Sequence, residues 1–206
     1  MQNKDDIIKS MNSGYVHYVQ NRSRFAFFRG LVSRLLSYLR YEHYSNIARR
    51  KGASIGKHVV LNKAFAKKCN SNVRIGDHVS IETDRIDTRA PISIGNYVII
   101  GKGTEIISVS HNIDSPNWEP KYYGITIEDY VWIPTNVLVL PSCRKIEYGA
   151  VIGSGSVVVK NVGSMSVVSG NPALEFKKRE CVHSQLVVES LRHGDFCEFW
   201  RVYKMK

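Results

Sequence analysis

The chain has 206 residues, 43% hydrophobic and 23% charged, which suits one domain with a short appendage and excludes a disordered chain or a membrane bundle. Its 29 Lys and Arg against 18 Asp and Glu leave a net charge of +11, a balance that would fit a polyanionic partner. Residues 1–52 hold ten basic and three acidic residues, 53–170 hold twelve and ten, and 171–206 hold seven and five, so the long middle lacks the concentrated charge of a nucleic-acid-reading body.

The opening MQNKDDIIKS places adjacent acids where a secretory leader needs an apolar run, so a cytoplasmic protein is expected. Phe25, Phe28, Val32, Leu35 and Leu39 then recur at spacings of three and four, the mark of one helical face, with Arg22, Arg29, Arg34 and Arg40 largely off it. Residues 1–52 are thus predicted to form a basic amphipathic helical arm. That face either caps the end of the following domain or rests through residues 22–40 on an anionic membrane. The run from Phe25 to Leu39 is broken by arginines and too short to span a bilayer.

From Ser54 the texture changes to a six-residue repeat: an aliphatic residue, a small or acidic one, and a small or β-branched one four places after the aliphatic. IGKHVV at 55–60, IGDHVS at 75–80, IGNYVI at 94–99, IGKGTE at 100–105, IEDYVW at 127–132, IPTNVL at 133–138 and IGSGSV at 152–157 follow it. A helix of 3.6 residues per turn cannot keep every sixth residue on one face. A triangular coil can, with one short strand per side, the aliphatic residue inside and the glycine turning the corner. Residues 53–170 are therefore predicted to be a mainly β solenoid, followed by a C-terminal tail and extension over 171–206.

The repeat breaks once, between Ser110 and Ile125, at HNIDSPNWEPKYYG, a loop with two prolines and three aromatics. Loops on rigid scaffolds tend to carry binding groups, and His111 stands at its threshold. His58 and His78 occupy the fourth place of their hexads and are expected to point outward. On an eighteen-residue coil His58, His78 and His111 would fall at different phases, so no metal site is expected. Cys69, Cys143, Cys181 and Cys197 are widely spaced and read as reduced thiols.

Four stretches carry a family resemblance: SVSHNID at 108–114, ITIEDYVWIPTNVLVLP at 125–141, AVIGSGSVVVKNV at 150–162 and VSGNPALEFKKR at 168–179. In that order they resemble the hexapeptide-repeat acyltransferases, specifically the maltose and galactoside acetyltransferase-like sugar O-acetyltransferases, over roughly residues 53–179. The resemblance implies a left-handed parallel β-helix, a homotrimer with active sites between subunits, and acetyl-coenzyme A as donor. It implies His111 as the general base, Trp132, Thr135 and Ser154 beside the cofactor, and Lys160, Lys177 and Lys178 at its phosphates, with Arg179 assisting. Imidazole suits the role, because it titrates near neutrality and can take a hydroxyl proton and return it to a leaving thiolate.

Three departures stand out: Pro134 where a glycine is usual, Leu174 where a basic residue is common, and a step of seven residues from Val139 to Ile146, near Cys143, where six is expected. For the acceptor, Asp84, Asp87, Asp114 and Trp118 could bind sugar hydroxyls or pack on a ring, with Asp87 and Asp114 preferred. Ordinary turn chemistry explains the aspartates equally well. The expected activity is O-acetylation of a bacterial surface glycan or its precursor, with N-acetylation of an amino-sugar or antibiotic, or a non-catalytic scaffold, as alternatives. A nucleotidyltransferase is disfavoured, since only about fifty residues precede the solenoid and they hold no Gly-rich phosphate loop. No motif is legible in residues 181–206.

Overall fold

The computed structural model describes residues 13–183 and 186–206; the opening residues read above as a poor leader lie outside them. Three parallel sheets form the faces of a prism of about six turns, a left-handed β-helix. The first face stacks Ser54–Ile55, Val73–Ile75, Ile92–Ile94, Ile125–Ile127 and Lys145–Ile146. The second stacks Val60–Leu61, Ser80–Ile81, Ile99–Ile100, Trp132–Ile133, Val151–Ile152 and Ser166–Gly170, and is closed by the antiparallel strand Ala173–Lys178. The third stacks Arg85–Ile86, Glu105–Ile106, Leu138–Val139 and Val157–Val158. The side that would precede Arg85 is a helix, α3 (Lys63–Lys68), capped by Asn62 and sending the fully buried Phe65 into the core.

The hexad aliphatics fill the prism: Ile81, Ile100, Ile127, Ile133, Ile146 and Ile152 have 1% exposure or less. Each such side chain contributes roughly 1.5–3 kcal/mol by leaving water. The corner between the first and second faces shows what the second hexad residue does. The left-handed backbone lies at the fourth place, at His58, His78, Tyr97 and Tyr130 (φ 55 to 60°), rather than at the glycine expected to make the turn. Gly56, Gly76 and Gly95 are required for close approach, because a Cβ on each would collide with the side-chain oxygen of Asp77, Asn96 or Asp129 from the next coil. Those oxygens accept from the next backbone amides, Lys57 N, Asp77 N and Asn96 N, at 2.7–2.8 Å. The carboxylate or carboxamide of one coil thus pins the turn of the coil before it.

Along the same corner the rings of His58, His78, Tyr97 and Tyr130 stack at 4.9, 4.9 and 4.8 Å, the spacing of adjacent strands. His58 and His78 therefore share a phase, contrary to the eighteen-residue count. Coil partners in the first coils are nineteen or twenty residues apart, as Arg74 and Ser93 or Val60 and Ser80.

Nor does His78 point freely outward, because the C-terminal extension returns along this corner. Arg179 donates to the carbonyls of Tyr130 and Gly149 and meets His183. Further on, the carboxylate of Glu189, 1% exposed, lies 3.2 Å from Nδ1 of His78. The extension then forms a 3-10 turn (Val188–Arg192) and a helix, α4 (Phe196–Lys204), which packs on α1 (Ser13–Gln20) and α2 (Arg24–Arg50). Val16, Val19, Phe27, Val187, Phe199 and Val202 make a second, smaller core there. At its centre Asp195 binds Nε of Arg34 at 2.9 Å and the hydroxyl of Tyr15 at 2.6 Å, while the Arg34 guanidinium lies 3.9 Å above the Phe199 ring.

Burial pushes the pKa of His78 down, but the hydrogen bond and charge of Glu189, with Asp77 and Glu198 farther off, outweigh it and leave it raised above 6.5. A raised folded-state pKa stabilises the docked extension below the unfolded value, and that contribution is lost as pH rises through the folded value. The protection factors of amides in residues 186–195, that is, their exchange rates divided into the intrinsic rate at the same pH, are expected to be higher at pH 6 than at pH 9. His78→Gln, which does not titrate, should flatten the difference.

The helix α2 caps the prism, but not through the face that the spacing marks. Its C-terminal half supplies the cap: Ala48 is fully buried, Tyr44 packs on the prism core, and Arg49 donates to the carbonyls of Ile55 and Gly56. The predicted apolar face does not pack, and Phe25, Phe28, Val32, Leu35 and Leu39 are all exposed. Among the described residues no helix is long and apolar enough to cross a membrane.

Candidate active site

The one long insertion separates Ile99 from its coil partner Trp132 by thirty-three residues and leaves the prism at the corner between the third and first faces. It opens as an antiparallel hairpin of Val109–His111 with Pro120–Tyr122. Its root is tied to the prism by Ser108, whose hydroxyl donates to the carbonyl of Asp87 at 3.0 Å and whose carbonyl accepts from Tyr123 N at 2.9 Å. The Arg144 guanidinium covers the Tyr123 ring at 4.7 Å. Farther out, Asn112 donates to Oε1 of Glu119 at 2.6 Å. Hydrogen bonds from Ser115 and Asn112 hold the Glu119 carboxyl down at about 2, so it remains an ionised acceptor at neutral pH.

His111 ends the first strand of the hairpin, exposed to solvent. Its Nδ1 lies 2.7 Å from the carbonyl oxygen of Trp118, and its ring lies over the Trp118 indole at 5.4 Å and 14°. A carbonyl can only accept, so in the neutral ring Nδ1 carries the hydrogen and Nε2 keeps a lone pair. The backbone contact thereby fixes both tautomer and ring plane. Trp118 takes part with a left-handed φ of 49°, which turns its carbonyl toward His111 and leaves its indole 56% exposed.

The other sequence-predicted residues distribute over separate edges of the prism. Thr135 and Ser154 are exposed one coil apart at the corner between the second and third faces, where Gly155 N donates to the Thr135 carbonyl. Pro134 precedes them, and its carbonyl accepts from Thr104 Oγ1 at 2.5 Å. Trp132 stands on the second face, where with Val151 and Val167 it floors a hollow of about 540 Å³ whose lining also includes Lys177, Lys178 and Arg179. Lys178 is engaged there by Ser166 and Glu175. Leu174 lies exposed on the closing strand. Lys160 is exposed just past the third face, on the same corner as the His111 loop but farther along the prism. The extra residue near Cys143 is absorbed in a turn in which Cys143 N donates to the Leu140 carbonyl and the side chain is buried.

Asp84 and Asp87 flank the strand Arg85–Ile86, one at each end, so they reach different corners. Lys68 lies 3.7 Å from Asp84. Burial raises the pKa of Asp87, but two hydrogen bonds from the Arg89 side chain at 2.9 Å, with its charge, more than offset this and leave it below the ordinary range. Ser108, three residues before His111, reaches the backbone carbonyl of Asp87, whereas Asp114 is exposed at the loop tip. Arg74 and Arg144, which the sequence reading missed, line a hollow of about 380 Å³ on the first face with Tyr123, Ser93 and Thr126. No sequence pattern marks either, since the contact of Arg144 with the Tyr123 ring exists only in the folded chain.

No family model matches the chain. It is 29% identical over 140 residues to the putative colanic acid biosynthesis acetyltransferase WcaF of Escherichia coli (strain K12), covering 68% of this chain and 76% of that protein. It is 28% identical over 144 residues to the galactoside O-acetyltransferase of Lactococcus lactis, covering 66% and 68%. Among solved structures it is similar to the hexapeptide-repeat containing acetyltransferase VCA0836 from Vibrio cholerae, with a TM-score of 0.60, 25% identity, and coverage of 86% of this chain and 99% of that one. A second crystal structure of VCA0836, complexed with acetyl coenzyme A, aligns with a TM-score of 0.59 and 26% identity over 88% of this chain and 100% of that one. With its six-residue period wound into a three-faced coil, the chain is similar in sequence and in fold to hexapeptide-repeat acetyltransferases.

Proposed function

We propose that the protein transfers an acetyl group from acetyl-coenzyme A to a hydroxyl of a sugar in a surface polysaccharide or its precursor, with His111 as general base. The observation that carries the mechanism is the 2.7 Å contact from His111 Nδ1 to the Trp118 carbonyl, which leaves Nε2 basic and open to solvent on a pinned hairpin. The choice of donor is supported by the VCA0836 complex with acetyl coenzyme A, and that of a sugar acceptor by the galactoside O-acetyltransferase and WcaF likenesses.

Acetyl-coenzyme A supplies the acetyl group as a thioester, already activated toward an alcohol. His111 Nε2 takes the proton as the acceptor oxygen bonds to the acetyl carbon. Its Nδ1–H stays on the Trp118 carbonyl, steadying the imidazolium, and Nε2 then returns the proton to the departing sulfur, so no acetyl-enzyme is needed. The apolar floor of Trp132, Val151 and Val167 beside Lys177 and Lys178 fits a pantetheine arm followed by phosphates, with Thr135, Ser154 and Lys160 as further contacts. On one prism the Trp132 hollow, Thr135 and Ser154 lie away from the corner that carries His111, which favours a homotrimer with each site shared between neighbours. Trp118, Asp114, Asp87 and Asp84 are the proposed acceptor contacts. Asp87 would act with its Arg89 partner as a unit.

Thiol release from acetyl-coenzyme A should be followed with neutral sugars, amino-sugars and uncharged alcohols as acceptors. Release that requires a sugar hydroxyl is expected. Release only with amines would replace the O-acetyl reading, and no release with any acceptor, together with no coenzyme A binding, would end it.

A further inference from the structure

The exposed stripe on α2 is long and continuous. Phe25, Phe28, Val32, Leu35, Leu36 and Leu39 follow one another at steps of three, four, three, one and three, and are between 38% and 78% exposed. At 1.5 Å per residue they cover roughly 21 Å of helix. The opposite side of the same helix is the packed one, carrying Phe27 against Phe199 and Tyr203 and Arg34 against Asp195. A helix with apolar residues on both sides, only one of them packed, exposes an area that monomeric surfaces rarely carry without a use.

The charges beside the stripe are all of one sign. Residues 13–41 contain five arginines and no acid. Of these, Arg34 is spent on Asp195 and Arg22 on Tyr18 and the Ala26 carbonyl. Arg24, Arg29 and Arg40 flank the stripe at its margins by helical phase. Arg40 also lines a hollow of about 340 Å³ with Lys63, Lys102 and Arg192, and the one acid there, Glu82, is paired with Arg192. Two identical stripes brought face to face would crowd arginines of both copies together with no carboxylate between them. An anionic lipid surface offers what this face lacks: acyl chains for the stripe and phosphates for its margins.

We propose that α2 is a surface-lying anchor that docks the protein on an anionic bilayer, with Phe28, Val32 and Leu36 in the acyl boundary and Arg24, Arg29 and Arg40 at the headgroups. This docking is independent of the acetyl-transfer reading. It would present the prism to acceptors carried on lipid.

The full-length protein is sedimented with phosphatidylcholine vesicles and with vesicles in which roughly a quarter of the lipid is phosphatidylglycerol. The wild type is expected to pellet with the anionic vesicles only, and to be released as salt rises. A Phe28→Ser, Val32→Ser, Leu36→Ser triple variant and an Arg24→Gln, Arg29→Gln, Arg40→Gln triple variant are each expected to bind at least tenfold more weakly. All three positions of each set are exposed, so the melting temperature should hold. Failure of the wild type to pellet, or equal pelleting with both vesicles, would overturn the proposal. So would a change in oligomer mass by light scattering in the serine variant, which would assign the stripe to contacts between copies.

Discussion

His111→Ala is expected to lower kcat for acetyl transfer by about 10²–10⁴-fold, the usual worth of a positioned general base, while leaving coenzyme A binding intact. The split between kcat and binding follows from the geometry: His111 stands on the hairpin at one corner of the prism, whereas the Trp132 hollow lies on another face. His111→Gln should lose nearly as much, because an amide can reproduce the hydrogen bond to the Trp118 carbonyl but offers no base. Stopped-turnover measurement of thiol release with isothermal titration of coenzyme A checks both parts. Undiminished turnover in either variant would remove His111 from the chemistry.

Asp195→Ala is expected to produce the largest stability loss, about 3–5 kcal/mol, by leaving Arg34 buried without its counter-charge. The hydrogen bond from the Tyr15 hydroxyl to Asp195 would be lost too. Replacing both charges together, Arg34→Met with Asp195→Leu, should recover most of that loss, since an apolar pair avoids the desolvation cost. Urea denaturation followed by circular dichroism separates the outcomes. The single variant should show the helical cluster melting ahead of the prism, and an undivided transition near the wild-type midpoint would refute the assigned role.

How much of this was legible beforehand depended on sequence distance. The prism was legible because its rule is local: each hexad carries its own aliphatic and its own turn, and the next coil repeats them. His111 was legible for a related reason, since a single interruption in a strict period draws attention to whatever sits at its threshold. The function of the hexad glycine was misjudged because its need comes from the neighbouring coil's Asp or Asn oxygen, which no single hexad displays. The pairs Arg34–Asp195 and His78–Glu189 join residues 161 and 111 positions apart, and nothing in a one-dimensional pattern brings those residues together. The apolar spacing on α2 was read correctly as one face, but spacing cannot say whether a face is packed. Here the tighter contacts went to Phe27 on the other side.

The return of the C-terminal extension to the N-terminal helices changes how such a stack can fail. An open solenoid has two ends that fray independently, each coil holding only its neighbours. In this chain the segment that leaves the last coil also buries His78 of the second coil and supplies half of the cluster around Phe27. Loosening either terminus therefore uncovers the other. A stack of near-independent units becomes something closer to a closed ring, whose global unfolding should be sharper than its repeating architecture alone would give.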